Sequence, residues 1–240
     1  MVIDDLADRS HTAALLLDQN LGRKKKDYDN LVPIDCRRLV GPRYALLRPE
    51  FPKKRSTIKV RHSADQISHL MISMGGTDAS DATSAVLRAL THAALPKNIR
   101  ISVVMGKHSP ALTQVRSLAA ELPWAVSVLV DVVDMSKLMC DADAAIGAGG
   151  GTTWERCCLG LPSIIIETAA NQSSAVKAIE RTGAAIGVCN LSDFQFGQRL
   201  VAAIEKLVDL RTRKQLSQRS MALCTGDGAA RVANILWSFK

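Results

Sequence analysis

Aromatic residues are scarce in this 240-residue chain, at 4%, and long apolar runs are missing altogether. No stretch approaches the ~20 consecutive apolar residues that span a bilayer. The opening MVIDDLADRS is acidic and lacks the basic and apolar regions of a signal peptide. The six cysteines (Cys36, Cys140, Cys157, Cys158, Cys189 and Cys224) form no CxxC pair and no metal-ligand spacing. They read as reduced, mostly buried thiols of a cytoplasmic protein, and no metal is expected. The five histidines (His11, His62, His69, His92 and His108) are scattered, and no Ser–His–Asp set can be picked out from their order. A net charge of +8 raises the question of nucleic acid. The basic clusters Arg23-Lys24-Lys25-Lys26 and Lys53-Lys54-Arg55 have only Tyr28 and Phe51 near them, too few aromatic side chains to stack bases. The excess charge reads first as solvated surface and second as a field that draws an anionic small molecule. No nucleic-acid or membrane partner is expected.

What is present is alternation. HLMISMGG reads as a strand running into a glycine turn, ASDATSAVLRALTHA as an amphipathic helix after Asp78, NIRISVVMG as a strand, ALTQVRSLAAEL as a helix and AVSVLV as a strand. A short helix follows at MSKLMCDA, then strands at Ala144–Ile146 and Ser163–Glu167, with further helices at Ala175–Arg181, Phe194–Val208 and Arg211–Leu223. Such alternation predicts an α/β fold, a Rossmann-like parallel sheet with helices on both faces. Earlier, VIDDLADR and LLLDQN read as two short strands, and LVGPRYALLRPEF, with Pro42, Pro49 and Pro52, as a connector too broken for a regular element. Two strands and a loop cannot close a core. The expected organisation is a remnant of another lobe and its connector over 1–52, an exposed hinge-like linker over 53–67, and a nucleotide-binding domain over 68–240.

The densest signal is DADAAIGAGGGTTWERCCLGLPSIIIE, from Asp141 to Glu167. Three consecutive glycines between a buried strand and a helix suit either a tight turn or a backbone that must approach a phosphate closely. Thr152 stands three residues before Glu155, the spacing of a capping box, so Glu155 is either a capping partner or a carboxylate free to accept ribose hydroxyls. Ser73-Met74-Gly75-Gly76-Thr77-Asp78 is a second glycine turn at a strand end, with Asp78 placed to cap the next helix. In a doubly wound sheet two such turns border one cleft at the switch point. Gly147-x-Gly149-x-x-Thr152, with Glu167 twenty residues on, also approaches a dinucleotide fingerprint, which keeps a nicotinamide or flavin enzyme as a rival. Its third glycine is a threonine, and it follows the fourth strand of the domain.

IGAGGGTTWERCCLGLPSIIIETAANQ, together with DDLADR, LLLDQN, GPRYALLRPEF and SMGGTDASD in that order, resembles the UDP-2,4-diacetamido-2,4,6-trideoxy-β-L-altropyranose hydrolase family of pseudaminic acid biosynthesis. More broadly it resembles the carboxy-terminal, UDP-binding lobe of two-lobed GT-B-type enzymes. The resemblance implies hydrolysis of a UDP-sugar by water, without metal or cofactor. It implies ribose binding by Glu155 and diphosphate binding by Gly149, Gly150, Gly151, Thr152 and Thr153, with Gly75, Gly76 and Thr77 facing them. Uracil would lie on Val132, Val133 and Met135, and the sugar near Asn171, Gln172 and Asp78. Gly151 stands where the family is expected to have serine. The family's water-activating histidine, in a Gly-x-Gly-His-x-x-Arg turn of the amino-terminal lobe, has no counterpart here. The resemblance therefore implies a chain largely missing that lobe, weak or inactive alone, with a separate amino-terminal lobe as a candidate partner. Its first segment would be mobile, and Asp4, Asp5 and His11 would be the bases to test if the chain proved active. A related UDP-sugar glycosyltransferase and a non-catalytic sugar-nucleotide-binding module stand as alternatives.

Overall fold

In the computed structural model, which describes residues 1–58, 65–188 and 190–239, the first segment is more ordered than its sequence promises. Three short strands, β1 (Val2–Ile3), β2 (Leu15–Asp18) and β3 (Arg37–Val40), pair in parallel in the order β1-β2-β3. The strand β3 lies in what reads as connector, because RRLV buries only Leu39 and its two arginines mask the pattern. Leu15 and Leu17 point to one face of β2, and Leu16 packs on the other with Tyr28, Val32 and Cys36. The expectation that two strands and a loop leave this segment without a core is thus corrected.

The helix α1 (Glu50–Thr57) follows, and part of the expected hinge belongs to it. Phe51 is fully buried, and Arg55 donates to the carbonyls of Cys158, Met221 and Cys224, so this turn is anchored while Lys53, Ser56 and Thr57 stay exposed. The rest of the expected linker lies largely outside the described residues, as do His62 and Cys189.

The second sheet is built from β4 (His69–Ser73), β5 (Arg100–Met105), β6 (Ala125–Val130), β7 (Ala144–Ala148), β8 (Ser163–Ile166) and β9 (Ile186–Val188). All neighbours are parallel, in the order β6-β5-β4-β7-β8-β9. Its central strands β4, β7 and β8 are buried at every position and mostly apolar because both faces are covered. Leu70, Ile72, Ile146, Ile164 and Ile166 meet the helices of one face, which include α2 (Ala82–Leu90), α3 (Leu112–Glu121), α7 (Phe196–Val208) and α8 (Leu210–Leu223). The alternate residues Met71, Ala145 and Ile165 meet α1, α4 (Met135–Asp141), α5 (Thr152–Cys158) and α6 (Ser173–Thr182) on the other. The fold is the expected one.

A last helix, α9 (Gly228–Trp237), has no counterpart in the sequence reading. It returns to the first sheet, where Val232 and Ile235 pack on Leu15, Leu17 and Leu39. Gly228 permits this closeness, since a Cβ there would lie 2.3 Å from the Ala45 carbonyl oxygen. No helix of the described residues is long and apolar enough to cross a membrane.

Candidate functional site

The order β6-β5-β4-β7-β8-β9 reverses between β4 and β7, so a crevice opens beyond their carboxyl ends. Both glycine turns emerge there, since Ser73 and Gly147 are register partners at the ends of these two strands. Sequence placed both turns correctly. In each, three successive N–H groups, those of Gly75, Gly76 and Thr77 and of Gly150, Gly151 and Thr152, have no acceptor among the described residues. A Cβ added at Gly75, Gly76, Gly150 or Gly151 would meet no atom within 4 Å, so bare backbone faces open space. Gly75, at φ +98°, also needs the left-handed freedom of glycine. The second turn is pinned from behind, where Gly106 donates to the Gly76 carbonyl at 3.1 Å.

The expected capping box does not form. The helix α5 begins at Thr152 itself, Gly151 precedes it without a side-chain cap, and Thr152 Oγ1 lies 3.4 Å from Arg156 Nη1 instead. Glu155 is therefore released from the backbone. It is half-buried and its nearest cation is Arg48, at 3.7 Å. Burial raises its pKa, against the opposing pull of Arg48 and Arg156. Asp78 is committed elsewhere, because its two carboxylate oxygens accept from the N–H groups of Ala82 and Thr83, both at 3.0 Å. It caps α2 and is 5% exposed, so both of its oxygens are engaged in the fold. Thr153 is buried too, with its hydroxyl between the Ala148 carbonyl and Arg156.

One cleft, of about 370 Å³, is lined by Gly149, Gly150, Gly151, Trp154, Asn171 and Gln172 on one side and by Ile3, Asp4, Asp5, Gln19 and Asn20 on the other. Through Asp5, Asn20 and Asn171 it continues into a cavity of about 660 Å³ bordered by Arg23, Ser173, Lys177 and Arg181. Gln172 is held by Thr168, whose N–H and hydroxyl both donate to its Oε1 at 3.1 Å. Gly75, Gly76, Thr77, Glu155, Val132, Val133 and Met135 lie outside this lining. Val133 is 89% exposed, whereas Val132 and Met135 pack partly against the core. Glu167 borders a different cavity, with Glu180 and Asn190, although its neighbour Ile166 accepts from the Gly149 N–H at 3.1 Å. Among the described residues no cluster of three or more His, Cys, Asp or Glu could hold a metal ion.

The facing wall, which the sequence reading left mostly unassigned, rests on a buried polar knot. Tyr28 Oη lies 2.9 Å from Asp4 Oδ2 and 2.8 Å from Asp18 Oδ2. Arg23 Nε donates to Asp18 at 3.0 Å, and His11 Nε2 lies 3.2 Å from Asp4 Oδ1. Burial alone would raise the Asp4 pKa, but the N–H of Ala7, Tyr28, His11 and the N–H of Leu6 together hold it at about 2. Burial and the two carboxylates push the Tyr28 hydroxyl far above its usual range. By accepting from Leu6 and Ala7, Asp4 folds the DDLADR loop so that Asp5 stands exposed in the cleft.

Residues 69–234 match the model of the glycosyltransferase family 28 C-terminal domain. The chain is 28% identical over 197 residues to the spore coat polysaccharide biosynthesis protein SpsG of Bacillus subtilis, covering 82% of this chain and 57% of that one. It is also 28% identical over 138 residues to the UDP-2,4-diacetamido-2,4,6-trideoxy-beta-L-altropyranose hydrolase of Campylobacter jejuni, covering 58% of this chain and 46% of that one. It thus spans about half the length of these relatives. Among solved structures, MurG of Acinetobacter baumannii superposes with a TM-score of 0.72 at 18% identity, over 93% of this chain and 66% of MurG. That similarity supports the GT-B-type carboxy-terminal lobe as a fold. A match over most of the chain, on a doubly wound sheet with glycine turns at its switch point, shows that the chain belongs to the glycosyltransferase family 28 C-terminal domain family.

Proposed function

We propose that this chain is the nucleotide-binding part of an enzyme that transfers a glycosyl group from a sugar nucleotide. The observation that carries the reading is the bare Gly149–Gly151 turn in the cleft at the switch point, where the N–H groups of Gly150, Gly151 and Thr152 have no acceptor among the described residues and suit a diphosphate. In the glycosyl step the anomeric C–O bond to the diphosphate breaks, and negative charge develops on the leaving oxygen. Preorganised N–H donors stabilise that charge without reorganising during the reaction. Glu155, half-buried and held by nothing stronger than a long pair to Arg48, is the carboxylate assigned to the ribose hydroxyls. Uracil is assigned to Val132, Val133 and Met135, and the sugar to the Asn171–Gln172 side of the cleft. Asp78 and Thr153 take structural roles in this reading, as cap and loop support. An amino-terminal lobe would supply the remaining sugar contacts and the base.

A UDP-sugar hydrolase is the second reading, favoured by the 28% identity to the Campylobacter jejuni hydrolase. Both readings predict preference for UDP over ADP and NAD in calorimetry. They part on products: a hydrolase releases free sugar with UDP, whereas a transferase releases little UDP until an acceptor is added. Tighter binding of NAD than of UDP would refute both.

A further inference from the structure

Arg156 is among the bulkiest fully buried side chains of the described residues and lies behind the first glycine loop, 2% exposed. Its Nη2 donates to the Ala148 carbonyl at 2.9 Å and to Thr153 Oγ1 at 3.1 Å, and its Nε has no acceptor. The guanidinium fills the space that a side chain at position 147 would need, since a Cβ there would lie 2.2 Å from Nη1. Gly147 is therefore spared a side chain to admit a cation. Yet among the described residues no carboxylate forms an ion pair with Arg156, and its neighbour Glu155 pairs with Arg48 instead.

An isolated buried charge is costly, and neutral acceptors offset only part of the cost. Burial draws the Arg156 pKa down to about 10, which still leaves it cationic at neutral pH. The residues it touches, Ala148, Thr152 and Thr153, bracket Gly149–Gly151. A cation kept there with no ion pair, eased only by the more distant charge of Glu155, serves a fold poorly and an anionic ligand well.

We propose that Arg156 is a positioning residue whose buried charge is balanced by the diphosphate of a bound nucleotide, acting through the Gly149–Gly151 loop that it braces. The inference rests on the nucleotide reading of the site. It separates two roles: an arginine that merely pins the turn stabilises the ligand-free protein, whereas an uncompensated charge destabilises it and is repaid on anion binding.

The test compares the full chain with its Arg156→Met and Arg156→Lys variants. Thermal unfolding is followed with and without inorganic pyrophosphate, and calorimetry measures UDP, UMP and uridine. Arg156→Met should unfold at or above the wild-type temperature, because a buried charge of similar volume has been removed. It should lose roughly tenfold to hundredfold in UDP affinity, the scale of a charge-assisted contact, less for UMP and nothing for uridine. Arg156→Lys should recover most of the loss, and pyrophosphate should stabilise the wild type but not Arg156→Met. A collapse of Arg156→Met, or an equal loss for uridine and UDP, overturns the inference in favour of simple pinning. Unchanged UDP binding in Arg156→Met overturns it as well. Stabilisation of the wild type by pyrophosphate, absent in Arg156→Met, would uphold it even if UDP bound no better than pyrophosphate, and in that case the uridine reading alone fails.

Discussion

Glu155→Gln separates ligand recognition from folding at one position. The substitution keeps size and shape, so packing around Trp154 and Cys157 is unchanged. No cap is lost, because α5 starts without help from Glu155. The ion pair removed is long, 3.7 Å, and its Arg48 side chain is 48% exposed, so it contributes about 0–1 kcal/mol. Burial acts in the opposite direction. The folded-state pKa of Glu155 is raised above its usual value, so the native state holds the proton more tightly than the unfolded chain. Stability from this group is then present at low pH and is lost as pH rises from the ordinary glutamate range through the raised value. At neutral pH the charged glutamate is a small burden, which glutamine lifts. The melting temperature of Glu155→Gln at pH 7 should equal or slightly exceed that of the wild type, and the difference should vanish in acid. Affinity for UDP should fall by about 1.5–3 kcal/mol, the loss typical of hydrogen bonds to a charged group. Calorimetry with UDP and thermal unfolding at several pH values read the two effects separately. If unfolding drops by many degrees while the folded protein binds UDP normally, Glu155 is structural and the ribose assignment is wrong.

Gly150→Ala places its methyl in open space, so stability should stay within about 0.5 kcal/mol while UDP affinity falls; unchanged affinity would remove the diphosphate from that loop. Gly106→Ala does the reverse, because its Cβ would lie 2.3 Å from the Gly76 carbonyl oxygen, and urea unfolding should show a loss of about 1–3 kcal/mol. Tyr28→Phe leaves Asp4 and Asp18 without their shared donor and should cost about 1–3 kcal/mol in the same assay. The Asp4 pKa is depressed to about 2, so its contribution to stability is complete above 3.8 and is lost as pH falls from there towards 2; Asp4→Asn should flatten the acid side of the stability profile over that window.

The second sheet was legible because its signals are local. Short, mostly apolar runs at β4, β7 and β8, a helix break at Gly160, and glycine runs after two strands are all written in short stretches of chain. The strand order was not among them: alternation and right-handed crossovers are compatible with several orders, and only the folded sheet brought the ends of β4 and β7 together. What sequence left open was every choice between rival uses of one group. Glu155 and Asp78 each read equally as caps or as ligand contacts. Only the folded geometry gave the cap to Asp78, by bringing both its oxygens onto α2, and withheld it from Glu155, because α5 begins one residue earlier than the spacing implies. The first segment was misjudged for a related reason. Its core is closed by β3, hidden behind two arginines, and by α9, from the far end of the chain. A contact between Val232 and Leu15 has no signature in any window of sequence, because its stability comes from area buried between distant segments. The same holds for Arg156: a lone arginine in a helix reads as surface, and only the missing side chain of Gly147 gives it a place inside.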